Sequence, residues 1–165
     1  MADANFEVEI TGACEAWRGH EPHLTKALIA AAAAEGVDGV VSLLLGDDER
    51  IAVLNHDFRG KHGATNVLSF PAPASPPSEG GHPRLLGDIV IAYETTAREA
   101  GAEARPFRHH LTHLAVHGFL HLLGHDHVAE AEAEAMEALE IAVLARLDVP
   151  NPYLSPLPAQ RAGEA

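Results

Sequence analysis

Apolar and acidic residues alternate with period two over Asn5-Phe-Glu-Val-Glu-Ile10, the pattern of a strand with one buried face. The period then lengthens. Leu24, Ala27, Leu28 and Ala31 share one face of a helix that Pro22 can start and Gly36 can stop, and the alanine run favours it. The apolar run 40–45 reads as a well-buried strand ending at Gly46. Asp47 can cap a second helix that turns Ile51, Leu54 and Phe58 inward and closes at Gly60. Between 61 and 83 the pattern is mostly loop around a strand at 66–70, and the Pro-, Ser- and Gly-rich connector predicts no regular element. A fourth strand is expected at 87–92 and a short helix at 95–102. Pro106 opens a helix to about 123, stopped by Gly124, and 130–147 forms a last helix rich in Ala and Glu.

These elements are mixed without strict alternation, which predicts an α+β fold: a mixed sheet of about four strands packed with about five helices. The length of 165 residues and 47% apolar content suit a single domain, expected over 1–150, with 151–165 as a flexible C-terminal tail. No run is long and apolar enough for a membrane span, and the N-terminus lacks a basic segment followed by an apolar one. One cysteine, Cys14, allows no internal disulfide, so a cytoplasmic location is expected. The formal charge of -13 disfavours an anionic partner in general, but binding follows a local patch and not the total.

Histidine changes the picture. Seven of the 12 (His109, His110, His113, His117, His121, His125 and His127) fall within 19 residues. His117 and His121 are four apart and project from one helix face, so two imidazoles are preset for one ion. Gly124 lets the chain turn back, and His127 can return as a third ligand, giving H-x-x-x-H-x-x-G-x-x-H. His125 can compete with His127 for that role. Three imidazoles suit one zinc ion better than magnesium or calcium, and three protein ligands leave a position for water, as in catalytic sites. The implied chemistry is hydrolysis. The glutamate that follows the first histidine in zinc proteases is Gly118 here, which argues against a peptidase. His113, one turn earlier, can contact substrate, orient the site or simply pack.

Asn55-His-Asp-Phe-Arg-Gly-Lys61 and Thr65-Asn-Val-Leu-Ser-Phe-Pro71 form a second unusual region. Arg59 and Lys61 can hold a phosphate, arginine through paired hydrogen bonds, although Arg59 can equally satisfy the last carbonyls of its helix. Ser69 and Asp88, on or beside strands, are candidates to orient ligands.

With Leu86-Gly-Asp-Ile-Val-Ile91 and the block from His113 to His127, these segments resemble the YbeY family of bacterial endoribonucleases of ribosomal RNA maturation, in the family's order over roughly 40–147. The resemblance implies a zincin-like metal helix, zinc on His117, His121 and His127, and an important arginine at Arg59. It implies cleavage of single-stranded regions of ribosomal RNA, in 16S rRNA 3′-end maturation and ribosome quality control. The partners it implies are the small ribosomal subunit and assembly proteins, with no DNA and no membrane. Asn66 stands where many relatives have aspartate, and His125 where many have tyrosine. A hydrolase of another substrate and a non-catalytic assembly factor with structural zinc are the competing readings.

Overall fold

The computed structural model describes residues 6–12, 15–73, 84–126 and 128–154. The proline-rich connector, the C-terminal segment 155–165, Cys14 and His127 lie outside the described residues.

The four strands form one sheet in the order β1-β2-β4-β3: β1 (Phe6–Thr11), β2 (Gly39–Gly46) and β4 (Leu85–Ala92) run parallel, and β3 (Val67–Pro71) pairs antiparallel with β4. Helix α1 (Glu21–Glu35) connects the parallel pair β1 and β2, which cannot be joined by a tight turn. Side chains on the central strands alternate between the faces. Val41, Leu43, Leu45, Ile89 and Ile91 enter the main core, shared with α1, α4 (Phe107–Leu122) and α5 (Glu130–Arg146). Val90 and Ala92 point the other way and join Ile51 and Leu68 in a smaller core under α2 (Asp48–Arg59).

Helix α2 departs from expectation at one residue. Ile51 is fully buried and Leu54 partly so, but Phe58 is 68% exposed, touching Phe70 edge-on at 5.6 Å between ring centroids. Burial fades along the helix, so its C-terminal turn stands off the sheet and carries Arg59 away from the smaller core. Its start is fixed on both sides. The Asp47 carboxylate accepts from the Arg50 N–H at 2.8 Å. Asp48 accepts from the Thr95 N–H and hydroxyl of α3 (Tyr93–Ala102), while Glu94 accepts from the Asp48 N–H at 2.8 Å. The two helix N-termini thus satisfy each other's orphan donors.

Trp17, in a 3₁₀ turn before α1, is completely buried and donates its indole N–H to the Gly46 carbonyl at 2.9 Å. Helix α4 has buried residues on nearly every side, from Leu111 through Val116 to Leu120. Gly118 faces the sheet: a Cβ there would lie 3.0 Å from Ser69 Oγ, 3.1 Å from Ile89 Cγ2 and 3.2 Å from Val67 Cγ2. The close approach seats α4 on β3 and β4.

Candidate metal centre

The helix pitch and the burial of α4 decide which histidines meet. His113, His117 and His121 follow one another along one stripe, with ring centroids 6.0 Å and 4.6 Å apart in sequence. The His117 and His121 rings stand nearly perpendicular, at 83°, and their Nε2 atoms are 3.2 Å apart. After α4 the chain reverses at Gly124, whose φ of 100° disfavours any residue with a Cβ, and the His125 N–H closes the turn on the Leu120 carbonyl at 3.1 Å.

Behind this stripe stands a residue that the sequence pattern did not single out. Glu140 of α5 is 0% exposed among Met136, Val143 and Leu144. Its Oε2 accepts from His117 Nδ1 at 2.5 Å, and its Oε1 accepts from His113 Nε2 at 2.9 Å and from the Tyr153 hydroxyl. Burial pushes the Glu140 carboxyl up, but the donors on His113, His117 and Tyr153 outweigh it and hold it down at about 2. Tyr153 is shifted the opposite way, by burial first and then by the Glu140 carboxylate that it donates to. The signal for Glu140 was present: on α5 it occupies the position expected of an apolar residue, four after Met136 and three before Val143. Abundant glutamates elsewhere on the helix hid it. Tyr153 carried no signal, because 151–154 was expected to belong to a flexible tail. Arg105 ties those residues to the domain, donating to the Pro152 carbonyl at 2.5 Å and to the Leu154 carbonyl at 3.3 Å.

A cavity of about 780 Å³ opens in front of the histidine stripe. Arg59, at the end of α2, forms part of its wall together with Asn66, Ser69, His117, His121 and Asp126. Helix α2 and the loop to β3 therefore deliver Arg59 to the space that α4 opens onto. Ser69 also donates to the Gly118 carbonyl at 2.9 Å, so it ties β3 to α4 as well as lining the cavity. The exposed Asp88 lies on the opposite face of the sheet, in a hollow with Phe58, Phe70 and Leu44, and does not reach this site. Lys61 is exposed and is not part of the wall.

The remaining histidines divide. His110 is buried and its Nε2 donates to Glu99 at 2.8 Å; Asn66 donates to the same Glu99 oxygen at 2.9 Å. All three residues line the cavity, and the amide at 66 binds a carboxylate instead of adding one. His125 lies 2.8 Å from Glu35 of α1 through its Nε2.

The family model described as Endoribonuclease YbeY matches residues 14–148. The chain belongs to that family. Among YbeY relatives, the Endoribonuclease YbeY of Bradyrhizobium sp. strain BTAi1 is 50% identical over 153 residues, covering 88% of this chain and 90% of that protein. That of Rhodopseudomonas palustris strain BisA53 is 52% identical over 156 residues, covering 89% and 88%. The solution structure of TM1509 from Thermotoga maritima shares the fold, with a TM-score of 0.58 at 24% identity over 90% of this chain and 97% of that one. The segments that carry the YbeY resemblance converge here: the end of α2, β3 and α4 wall the cavity, and β4 backs α4.

The donors available suit a metal ion. The ligand atoms of His113, His117 and Glu140 lie within 4.8 Å of one another, a group that could hold one. Two spacings in the cluster differ in meaning. The 2.5 Å from His117 Nδ1 to Glu140 is a hydrogen-bond distance. A tetrahedral site with bonds of roughly 2.0–2.1 Å places its ligands about 3.3 Å apart, close to the 3.2 Å between His117 and His121 Nε2.

Proposed function

We propose that this chain is a zinc-dependent, single-strand-specific endoribonuclease acting on ribosomal RNA, in 16S rRNA 3′-end maturation and in ribosome quality control. Its partners on this reading are the small ribosomal subunit and assembly proteins. The carrying observation is the pair of Nε2 atoms 3.2 Å apart on α4, opening on the same cavity as Arg59, in a chain of the YbeY family. His117, His121 and His127 are the proposed ligands, one zinc ion being held by imidazole nitrogens. When bound, the ion supplies a Lewis acid and a water of lowered pKa.

The chain's own residues do the rest. Arg59 holds the scissile phosphate through two parallel N–H bonds and stabilises the charge that develops on it. Gly118 cannot act as a base and faces the sheet instead of the cavity, which supports a phosphodiester over a peptide substrate. The cavity volume, about 780 Å³, accommodates an unpaired nucleotide and its phosphate. Glu99, Glu103 and Asp126 along its wall repel a polyanion that is not seated on Arg59, which favours specific placement over general RNA binding.

Purified protein, stripped and then reloaded with zinc, is to be incubated with a single-stranded rRNA fragment and with the same fragment annealed to its complement. Zinc-dependent cleavage of the single strand is expected, with a loss of about a hundredfold or more in Arg59→Ala, the scale of removing one preorganised charge stabiliser. Equal cleavage by Arg59→Ala and wild type, or no zinc-dependent cleavage by either, removes the reading.

A further inference from the structure

We propose that Glu140 is the positioning carboxylate of the metal centre: it holds the His117 ring with its Nδ1 hydrogen turned inward, so that the Nε2 lone pair faces the position shared with His121. The inference rests on the reading of α4 as the metal helix. It makes α5 and the segment after it working parts of the site.

An ionised carboxylate only accepts hydrogen bonds, and a neutral imidazole has one N–H to give. Glu140 Oε2 lies 2.5 Å from His117 Nδ1, so that proton is committed to Glu140 and the lone pair is left on Nε2. The other oxygen does the same to the neighbouring ring in reverse. Glu140 Oε1 lies 2.9 Å from His113 Nε2, which commits the Nε2 proton of His113 and keeps that nitrogen from serving as a ligand. One buried carboxylate therefore assigns opposite tautomers to two histidines one helical turn apart. The Nε2 of His117 is offered to an ion and the Nε2 of His113 is withheld.

The surroundings make this assignment rigid. Glu140 is 0% exposed, and its neighbours on the helix, Met136, Val143 and Leu144, are apolar and buried. A carboxylate in such a place is costly unless its bonds are complete, and the Tyr153 hydroxyl supplies the third donor. Tyr153 is kept there by the clamp of Arg105 on the carbonyls of Pro152 and Leu154, at 2.5 Å and 3.3 Å. A fully apolar residue at 140 would pack as well. The carboxylate is explained by what it does to the rings, as outer partners of metal-bound histidines do in general.

Two measurements test the proposal. In metal-free wild-type protein, ¹⁵N-resolved imidazole NMR should find the His117 proton on Nδ1 and the His113 proton on Nε2. In Glu140→Gln, the amide presents one accepting and one donating edge and cannot accept from both rings. Its zinc affinity, measured by competition with a chromophoric chelator, should fall by about 10- to 100-fold, with an altered Co²⁺ visible spectrum. A folded Glu140→Gln with wild-type zinc affinity, or a His117 proton found on Nε2, overturns the proposal. If Glu140→Gln does not fold, the tautomers of the wild-type protein decide alone. If wild type takes up no zinc at all, the metal-centre reading itself falls together with this inference, whereas a zinc-binding wild type matched by Glu140→Gln leaves that reading standing.

Discussion

Installing a glutamate after the first metal-helix histidine, Gly118→Glu, imitates zinc proteases in sequence and should destroy this fold instead of creating a peptidase. The first carbon added at Gly118 meets Ser69 Oγ at 3.0 Å, Ile89 Cγ2 at 3.1 Å and Val67 Cγ2 at 3.2 Å. Gly118→Ala isolates that step. Replacing a helix-interior glycine with alanine contributes about 1 kcal/mol through propensity. Overpacking against two strands costs about 1–3 kcal/mol. Ser69 can retreat only by loosening its 2.9 Å bond to the Gly118 carbonyl, worth a further ~1 kcal/mol. The net expectation is a loss of roughly 1–3 kcal/mol, or about 2–12 °C in melting temperature for a chain of this size. Gly118→Glu adds a carboxylate pressed on the sheet without a partner, several kcal/mol more. Circular dichroism melts and urea titrations of the metal-free proteins measure both. A Gly118→Ala protein stabilised by the full propensity gain would show that α4 does not sit this close to β3 and β4. A folded Gly118→Glu with peptidase activity would show that residue 118 faces the cavity.

Two further outcomes concern pH and stability. Asp48→Ala removes the acceptor for the Thr95 N–H and hydroxyl, and should cost about 0.5–2 kcal/mol, as loss of a helix cap does. Burial raises the Asp48 carboxyl, but its bonds from Thr95 and Arg98 outweigh this and leave it below the ordinary range. Its contribution is therefore present above about pH 4 and lost as pH falls through the lowered folded value, and Asp48→Asn should flatten the melting temperature there. His23 is held down at about 4, by burial first, then by Arg108 and His20. The unfolded chain takes up that proton near pH ~6.5 and the folded chain does not, so stability should fall between that pH and about 4. His23→Gln should remove that part of the acid sensitivity in melts at matched ionic strength, and an unchanged pH profile would refute the assignment.

The sheet and helices were legible because their apolar periods are strong. Pro22 and Gly36 bracket α1, Asp47 and Gly60 bracket α2, and each lies at the helix end where it was expected. The prediction that Phe58 turns inward failed because periodicity reports the face of a helix and not whether a sheet extends beneath its last turn. Trp17 was passed over because a three-residue 3₁₀ turn has too short a pattern to show a buried face. At the site, His117 and His121 follow from helix pitch alone, while Glu140 and Tyr153 come from elements whose packing against α4 is a tertiary fact. Asp88 was a reasonable strand-end candidate by type. Side-chain alternation put it on the wrong face, since Ile89 and Ile91 take the side that α4 covers.

Helix α4 resolves a conflict between two demands on the same turns. To hold two rings at a ligand-like separation it must not slide or rotate, and a helix is fixed by burial on most sides. Yet a catalytic centre must be reachable. Gly118 answers the first demand by letting β3 and β4 approach the helix axis, one residue from His117, while the stripe of His113, His117 and His121 borders the cavity. The two faces are consecutive positions of one sequence, so the glutamate of a zinc protease and the glycine of this contact exclude each other at 118. The site then takes its carboxylate from α5, behind the rings, where Glu140 meets the ring nitrogen turned away from His121. A carboxylate placed there can orient a ligand but cannot touch a substrate in the cavity, which leaves Arg59 as the charged side chain of α2 able to meet one.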